Sequence, residues 1–122
     1  MARILIADDN PDVRDLLVTL FRLHGHDVAA FPDGTSLVAD LRTRPADLCV
    51  LDWMMPGMDG PEVLSQIRND PDPRLAATPV AMLSSVDRAD QREVARRIGA
   101  QAYLNKATPI HHLLDRLKPY LR

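Results

Sequence analysis

Acidic, hydroxyl and cationic residues stand directly after short apolar runs at four places in this chain. Asp8 and Asp9 follow the run 4–7, Asp52 follows 48–51, Ser84 and Ser85 follow 80–83, and Asn105 and Lys106 follow 102–104. Three carboxylates gathered in one place repel, and one of them takes up a proton unless a cation joins them. Oxygen donors of this kind suit Mg²⁺, which accepts one or two carboxylates, keeps several waters and welcomes a phosphate oxygen. The set contains neither His nor Cys, so zinc fits it poorly. A Mg²⁺ beside a lysine and a hydroxyl is equipment for neutralising a phosphoryl group in transfer. The remaining carboxylate can then serve as the nucleophile, giving an aspartyl phosphate.

These residues meet only if the elements that carry them are parallel strands. Five apolar runs have strand length, at 4–7, 28–31, 48–51, 80–83 and 102–104. The first, third and fourth are nearly continuous, as strands buried on both faces require. Helical spacing fills the gaps between runs. Val13, Leu16, Leu17, Leu20 and Phe21 fit one template, and Ile110, Leu113, Leu114, Leu117 and Leu121 fit another. Shorter versions occur at Leu37, Val38 and Leu41, at Val63, Leu64 and Ile67, and at Val94, Ala95 and Ile98. Asn10-Pro11, Asp59-Gly60-Pro61 and Thr108-Pro109 are expected to start helices, and Gly25 and Gly99 to end them. Asp70-Pro71-Asp72-Pro73 reads as a loop. Alternating β and α, five times over with right-handed crossovers, predicts a three-layer α/β sandwich. In such a sheet the functional crevice lies at the carboxyl ends of the strands, where the acids and the lysine stand.

Composition narrows the function classes. At 122 residues the chain holds one domain, expected to span 1–122. Fifteen Lys and Arg against seventeen Asp and Glu give a net charge of −2, which offers no general attraction to nucleic acid or anionic lipid. A lone cysteine, Cys49, supports neither a disulfide nor a CxxC metal site and reads as core packing. No signal-peptide h-region or bilayer-length apolar run occurs, so a cytoplasmic protein is expected.

The blocks Asp8-Asp9, Asp52 to Gly60 (DWMMPGMDG), Pro79 to Ser85 (PVAMLSS) and Tyr103-Leu104-Asn105-Lys106 resemble the receiver domain of two-component response regulators across essentially the whole chain. The resemblance implies a flavodoxin-like, doubly wound (βα)5 parallel sheet of order 2-1-3-4-5. It implies phosphorylation of Asp52 by a histidine kinase or histidine phosphotransfer protein. Mg²⁺ would be held by Asp8, Asp9, Asp52 and the backbone carbonyl of Met54, with Ser84 and Lys106 on the phosphoryl oxygens. Such a protein is a regulator rather than an enzyme, catalysing only its own phosphorylation and dephosphorylation. Ser84 and Tyr103 would act as the switch, altering the face formed by the fourth helix, fifth strand and fifth helix. That face would contact a downstream effector, a fused output domain or a second copy. The chain departs from the family at Lys106-Ala107-Thr108-Pro109, where Pro usually follows the lysine through a cis bond. A cis bond without Pro costs about 2.5 to 4 kcal/mol. Either the strained bond is kept, or a trans path places Lys106 differently.

Each residue also has a plainer reading. Asp8 and Asp9 could merely cap the next helix, Asp52 could end a strand, and Lys106 could be a solvated amine; their shared edge favours the site. Met54, Met55 and Met58 read as gap-fillers, Asp59-Gly60 as turn and cap. Met54 and Val86 flank the expected phosphoryl position, and Trp53 is placed to report on the site by fluorescence. His24, His26, His111 and His112 are expected to be solvated, and Arg88, Arg92 and Arg96 to form a solvated helix face. A phosphatase with an aspartyl nucleophile is the competing enzyme, but Met54 stands where a second acid is expected. A flavin or nucleotide module is disfavoured because Asp8-Asp9-Asn10-Pro11 is acidic and lacks the glycines of a phosphate loop.

Overall fold

In the computed structural model, which describes residues 1–121, five parallel strands stand in the order 2-1-3-4-5. They are β1 (Arg3–Ala7), β2 (Asp27–Phe31), β3 (Leu48–Asp52), β4 (Val80–Ser84) and β5 (Ala102–Asn105). Helices α1 (Pro11–Leu23), α2 (Gly34–Thr43), α3 (Gly60–Arg68), α4 (Pro73–Ala76), α5 (Ala89–Arg97) and α6 (Ile110–Leu117) alternate with them, and a 3-10 turn spans Lys118–Tyr120. The expected fourth and fifth helices are therefore α5 and α6.

Strand composition sets the layers. Leu5, Cys49, Leu51 and Met82 point to one side, where they pack with Leu37, Leu41, Val63, Leu64 and Ile67. Ile4, Ile6, Val50, Ala81 and Leu83 point to the other, against Leu17, Phe21, Leu113, Leu114 and Leu117. Successive strand side chains alternate faces, so a run apolar throughout buries both sides of the sheet. β3 and β4 are buried at every position.

Helix boundaries follow their capping residues. Asn10 accepts from the amides of Asp12 and Val13 with Pro11 in the first turn, and Asp59 and Glu62 form a reciprocal capping box. Gly25 and Gly99 take left-handed φ values of 83° and 97° just past α1 and α5, where a Cβ would be strained.

The stretch read as a loop is one through Asp72, which caps a short helix, α4, that begins at Pro73. Three expectations change. Thr108 does not cap α6; Pro109 occupies that position and gives no side-chain cap. Leu16 belongs to the apolar spacing of α1 yet is 55% exposed, so that stripe is wider than the buried face. His26 is half-buried and accepts the Ala2 amide through Nδ1 at 3.1 Å, making it a structural partner rather than a solvated ring.

Candidate metal and phosphoacceptor site

Parallel register brings the chemical residues to one edge. Ala7 pairs with Leu51, Asp52 with Leu83, and Ser84 with Asn105, so each strand delivers its polar terminus at the same level. Backbone hydrogen bonds extend the pairing past the strands: Trp53 N donates to Leu83 O at 2.7 Å, and Lys106 N to Ser84 O at 2.8 Å. Gly60 closes the loop after β3 by donating to Trp53 O at 2.9 Å. A Cβ there would lie 2.4 Å from the Asp52 carbonyl oxygen, so only glycine fits.

Carboxylate oxygens of Asp8, Asp9 and Asp52 lie within 4.8 Å of one another. Asp8 and Asp52 are buried, while Asp9 is exposed. Lys106 Nζ stands 3.0 Å from Asp8 Oδ2 and 3.0 Å from Asp52 Oδ1. The Lys106–Ala107 peptide is trans, and the ammonium reaches both acids along that path. The turn is closed by Asn105, whose Oδ1 accepts from Ala107 N at 2.7 Å.

One ammonium against three carboxylates leaves two formal negative charges without a partner in the cluster. Burial pushes the Asp52 carboxyl up to about 7; the charge of Asp8 adds to this, and Lys106 opposes it. Burial acts to lower Lys106, but its close pairing with Asp8 and Asp52 outweighs it and leaves the ammonium raised. Asp8 Oδ1 accepts from Asn10 N at 2.9 Å, whereas Asp8 Oδ2 has the ion pair with Lys106 but no directed hydrogen bond. A buried carboxylate oxygen with spare acceptor capacity inside an all-oxygen cluster is the donor chemistry of a hard divalent cation. The residues present fit Mg²⁺.

Ser84 and Tyr103 lie beside this cluster but bond elsewhere. Ser84 Oγ donates to Gln91 Oε1 at 2.8 Å and accepts from Val86 N at 3.2 Å. Tyr103 Oη lies 2.8 Å from the same Gln91 oxygen and 2.9 Å from Val86 O. Trp53 meets the Tyr103 ring edge-on with centroids 5.8 Å apart, and the Arg92 guanidinium covers that ring at 4.8 Å. Arg92 keeps the exposed position expected of it while its guanidinium lies on that ring, and it also pairs with Asp87 at 2.7 Å. The Met54 side chain is 70% exposed at the mouth.

Sequence reasoning missed Gln91, Arg14 and Arg68. Arg14 donates to Asp8 O at 2.7 Å, fixing the backbone of the first acid. Arg68 donates to the carbonyls of Ala76, Thr78 and Gly99 and to Gln101, tying α3 and α4 to the start of β4 and the loop before β5. Helical spacing puts these residues on a helix, but their partners lie far along the chain.

Comparison with known proteins agrees with the geometry. The family model of the response regulator receiver domain matches residues 4–118. Protein PilH of Pseudomonas aeruginosa is 32% identical over 121 residues, covering 99% of this chain and 98% of that protein. Sensory transduction protein RegX3 of Mycolicibacterium smegmatis is 31% identical over all 122 residues, which is 51% of its length. The chain spans about half the length of the first curated relatives it matches. The solved chemotaxis protein CheY4 of Vibrio cholerae superposes with a TM-score of 0.91 at 26% identity, covering 99% of each chain. The BeF3-activated N-terminal receiver domain of Klebsiella pneumoniae RstA gives 0.87 at 30% identity, covering 98% of each. With its strand order, its acidic edge and a match over nearly its full length, the chain belongs to the response regulator receiver domain family.

Proposed function

We propose that Asp52 is the phosphoacceptor of a two-component or phosphorelay system, and that residues 1–122 act together as its receiver. The observation that carries this reading is the buried Asp52 carboxylate, held 3.0 Å from Lys106 and within 4.8 Å of the oxygens of Asp8 and Asp9. A carboxylate kept dehydrated, oriented and short of positive charge is ready to attack an electrophilic phosphorus.

Asp8, Asp9 and Asp52, with the backbone carbonyl of Met54, would hold Mg²⁺. When bound, the ion supplies positive charge for the equatorial phosphoryl oxygens. Asp52 attacks phosphorus in line, and the P–N bond of a partner's phosphohistidine breaks with its electron pair returning to the imidazole. Lys106 already spans Asp8 and Asp52, so its ammonium needs little reorganisation to meet a phosphoryl oxygen. Ser84 supplies a neutral donor from the end of β4, and Tyr103 reads its position. Hydrolysis of the acyl phosphate resets the domain, so the chain acts as a regulator that turns over only its own modification. Its partners are a histidine kinase or phosphotransfer protein and a downstream effector or fused output domain. The face of α5, β5 and α6 meets that output or a second copy, with no direct contact to nucleic acid or membrane. Among the described residues no helix is long and apolar enough to cross a membrane, and a cytoplasmic site of action fits this role.

The test is incubation with acetyl phosphate followed by intact-mass measurement. A gain of one phosphoryl group that needs Mg²⁺ and disappears in Asp52→Asn supports the assignment. Equal modification of Asp52→Asn would refute it.

A further inference from the structure

The Gln91 side chain belongs to neither the carboxylate cluster nor the apolar core, yet it joins both switch residues. Its Oε1 takes the Ser84 hydroxyl from β4 and lies in reach of the Tyr103 phenol from β5, each at 2.8 Å. An amide oxygen has two lone pairs and can accept both. Serine has one hydroxyl proton, however, and Gln91 already receives it. Tyrosine likewise has one proton and two acceptors in reach, Gln91 Oε1 at 2.8 Å and Val86 O at 2.9 Å.

The site of Gln91 makes these bonds consequential. It lies in the first turn of α5, whose preceding residue Arg88 gives no side-chain cap and whose only fully buried residue is Ala95. Residues 85–88, which lead into that turn, are exposed. The start of α5 is therefore weakly held by capping and core packing; Arg92 covers the Tyr103 ring of β5, and the Gln91 carboxamide is what ties the turn to the Ser84 hydroxyl at the end of β4.

The geometry points to Gln91 as a positioning residue: a carboxamide latch that competes with the phosphoryl group for the single Ser84 proton. This rests on the phosphoacceptor reading above. When a phosphoryl oxygen takes the Ser84 proton, the Ser84–Gln91 bond is lost. Tyr103 and Val86 then hold the start of α5 without it, so occupancy of the site loosens that turn. Removing the carboxamide should favour the occupied state, because Ser84 is then free. Replacing it with a carboxylate should disfavour that state, because a charged acceptor holds the hydroxyl more strongly.

The experiment titrates beryllofluoride in Mg²⁺, which mimics the phosphoryl group, and follows Trp53 fluorescence. Gln91→Leu should bind about 2- to 10-fold more tightly than wild type, the range set by one neutral hydrogen bond. Gln91→Glu should bind more weakly. Both shifts should vanish when Ser84→Ala is added, since no proton remains to compete for. A general charge or packing effect would persist in the Ser84→Ala background and would overturn the latch. Equal affinities across the Gln91 series would do the same. Hydrogen exchange on the wild-type protein gives a readout without substitution: beryllofluoride should speed exchange in the first turn of α5, and unchanged or slowed exchange there counts against the latch. A wild-type protein that binds no beryllofluoride in Mg²⁺ would instead defeat the phosphoacceptor reading itself.

Discussion

Replacing Asp52 by Asn should stabilise the metal-free protein, and the gain should grow with pH. The folded Asp52 carboxyl is raised from 3.8 to about 7, chiefly by burial. Below 3.8 the group is protonated in both the folded and unfolded chains, and its effect on stability is small. As pH rises towards 7, the unfolded carboxyl ionises while the folded one resists. The unfolded chain then binds fewer protons, and stability falls at up to about 1.4 kcal/mol per pH unit. Between 3.8 and about 7 that slope accumulates to a full loss of about 4 kcal/mol, reached above about pH 7. Asn keeps the shape and cannot ionise, so the variant escapes that loss. Its sacrifice of the ion pair with Lys106 is already contained in the raised value. Urea unfolding in the presence of a chelator should show a gap of about 2 to 4 kcal/mol near pH 8 that closes near pH 4. Mg²⁺ should narrow the gap by stabilising wild type through mass action. A variant no more stable than wild type near pH 8, or a gap independent of pH, would refute the electrostatic reasoning.

Other perturbations probe the supports of the site. Gly60→Ala places a Cβ 2.4 Å from the Asp52 carbonyl oxygen and 2.5 Å from Met82 Cε, both in the packed interior. It should destabilise by about 1 to 3 kcal/mol and lower Mg²⁺ affinity by shifting the Asp52 backbone, measured by urea unfolding and calorimetry. Arg68→Lys should not rescue Arg68→Ala in thermal melts, because an ammonium cannot span the carbonyls of Ala76, Thr78 and Gly99 as a guanidinium does. Burial pushes the Cys49 thiol up to about 12, so a thiol reagent should label it only as fast as the chain unfolds. Rapid labelling of the native protein would contradict its placement in β3.

The fold was legible because strand and helix patterns barely overlap in this sequence. Leu48 to Leu51 is apolar on both faces, and Asn10-Pro11 and Asp59-Gly60-Pro61 state where helices begin. The acidic cluster was legible for the same reason: strand direction alone puts Asp8, Asp52 and Lys106 on one edge. Reading failed where a neighbouring turn or a distant contact overrides the local pattern. Thr108-Pro109 looks like a cap followed by a first helical residue, but Thr108 N instead bonds Asn105 O at 3.0 Å in the turn that carries Lys106. His26 looks like a surface ring after α1, but the chain end at Ala2 comes to meet it. Gln91 carries no signal of its own, since one polar residue in the first turn of a charged helix is ordinary until Ser84 and Tyr103 are seen to converge on it.

The most direct test of Asp52 as phosphoacceptor is to reduce the phosphorylated protein with borohydride and map the product by tandem mass spectrometry. Borohydride converts an aspartyl phosphate to homoserine and leaves free carboxylates and phosphate esters unchanged. Homoserine is expected at position 52, formed only when Mg²⁺ and the phosphodonor were both present. Homoserine at position 8 or 9, or stable phosphate on Ser84 with position 52 still Asp, would contradict it.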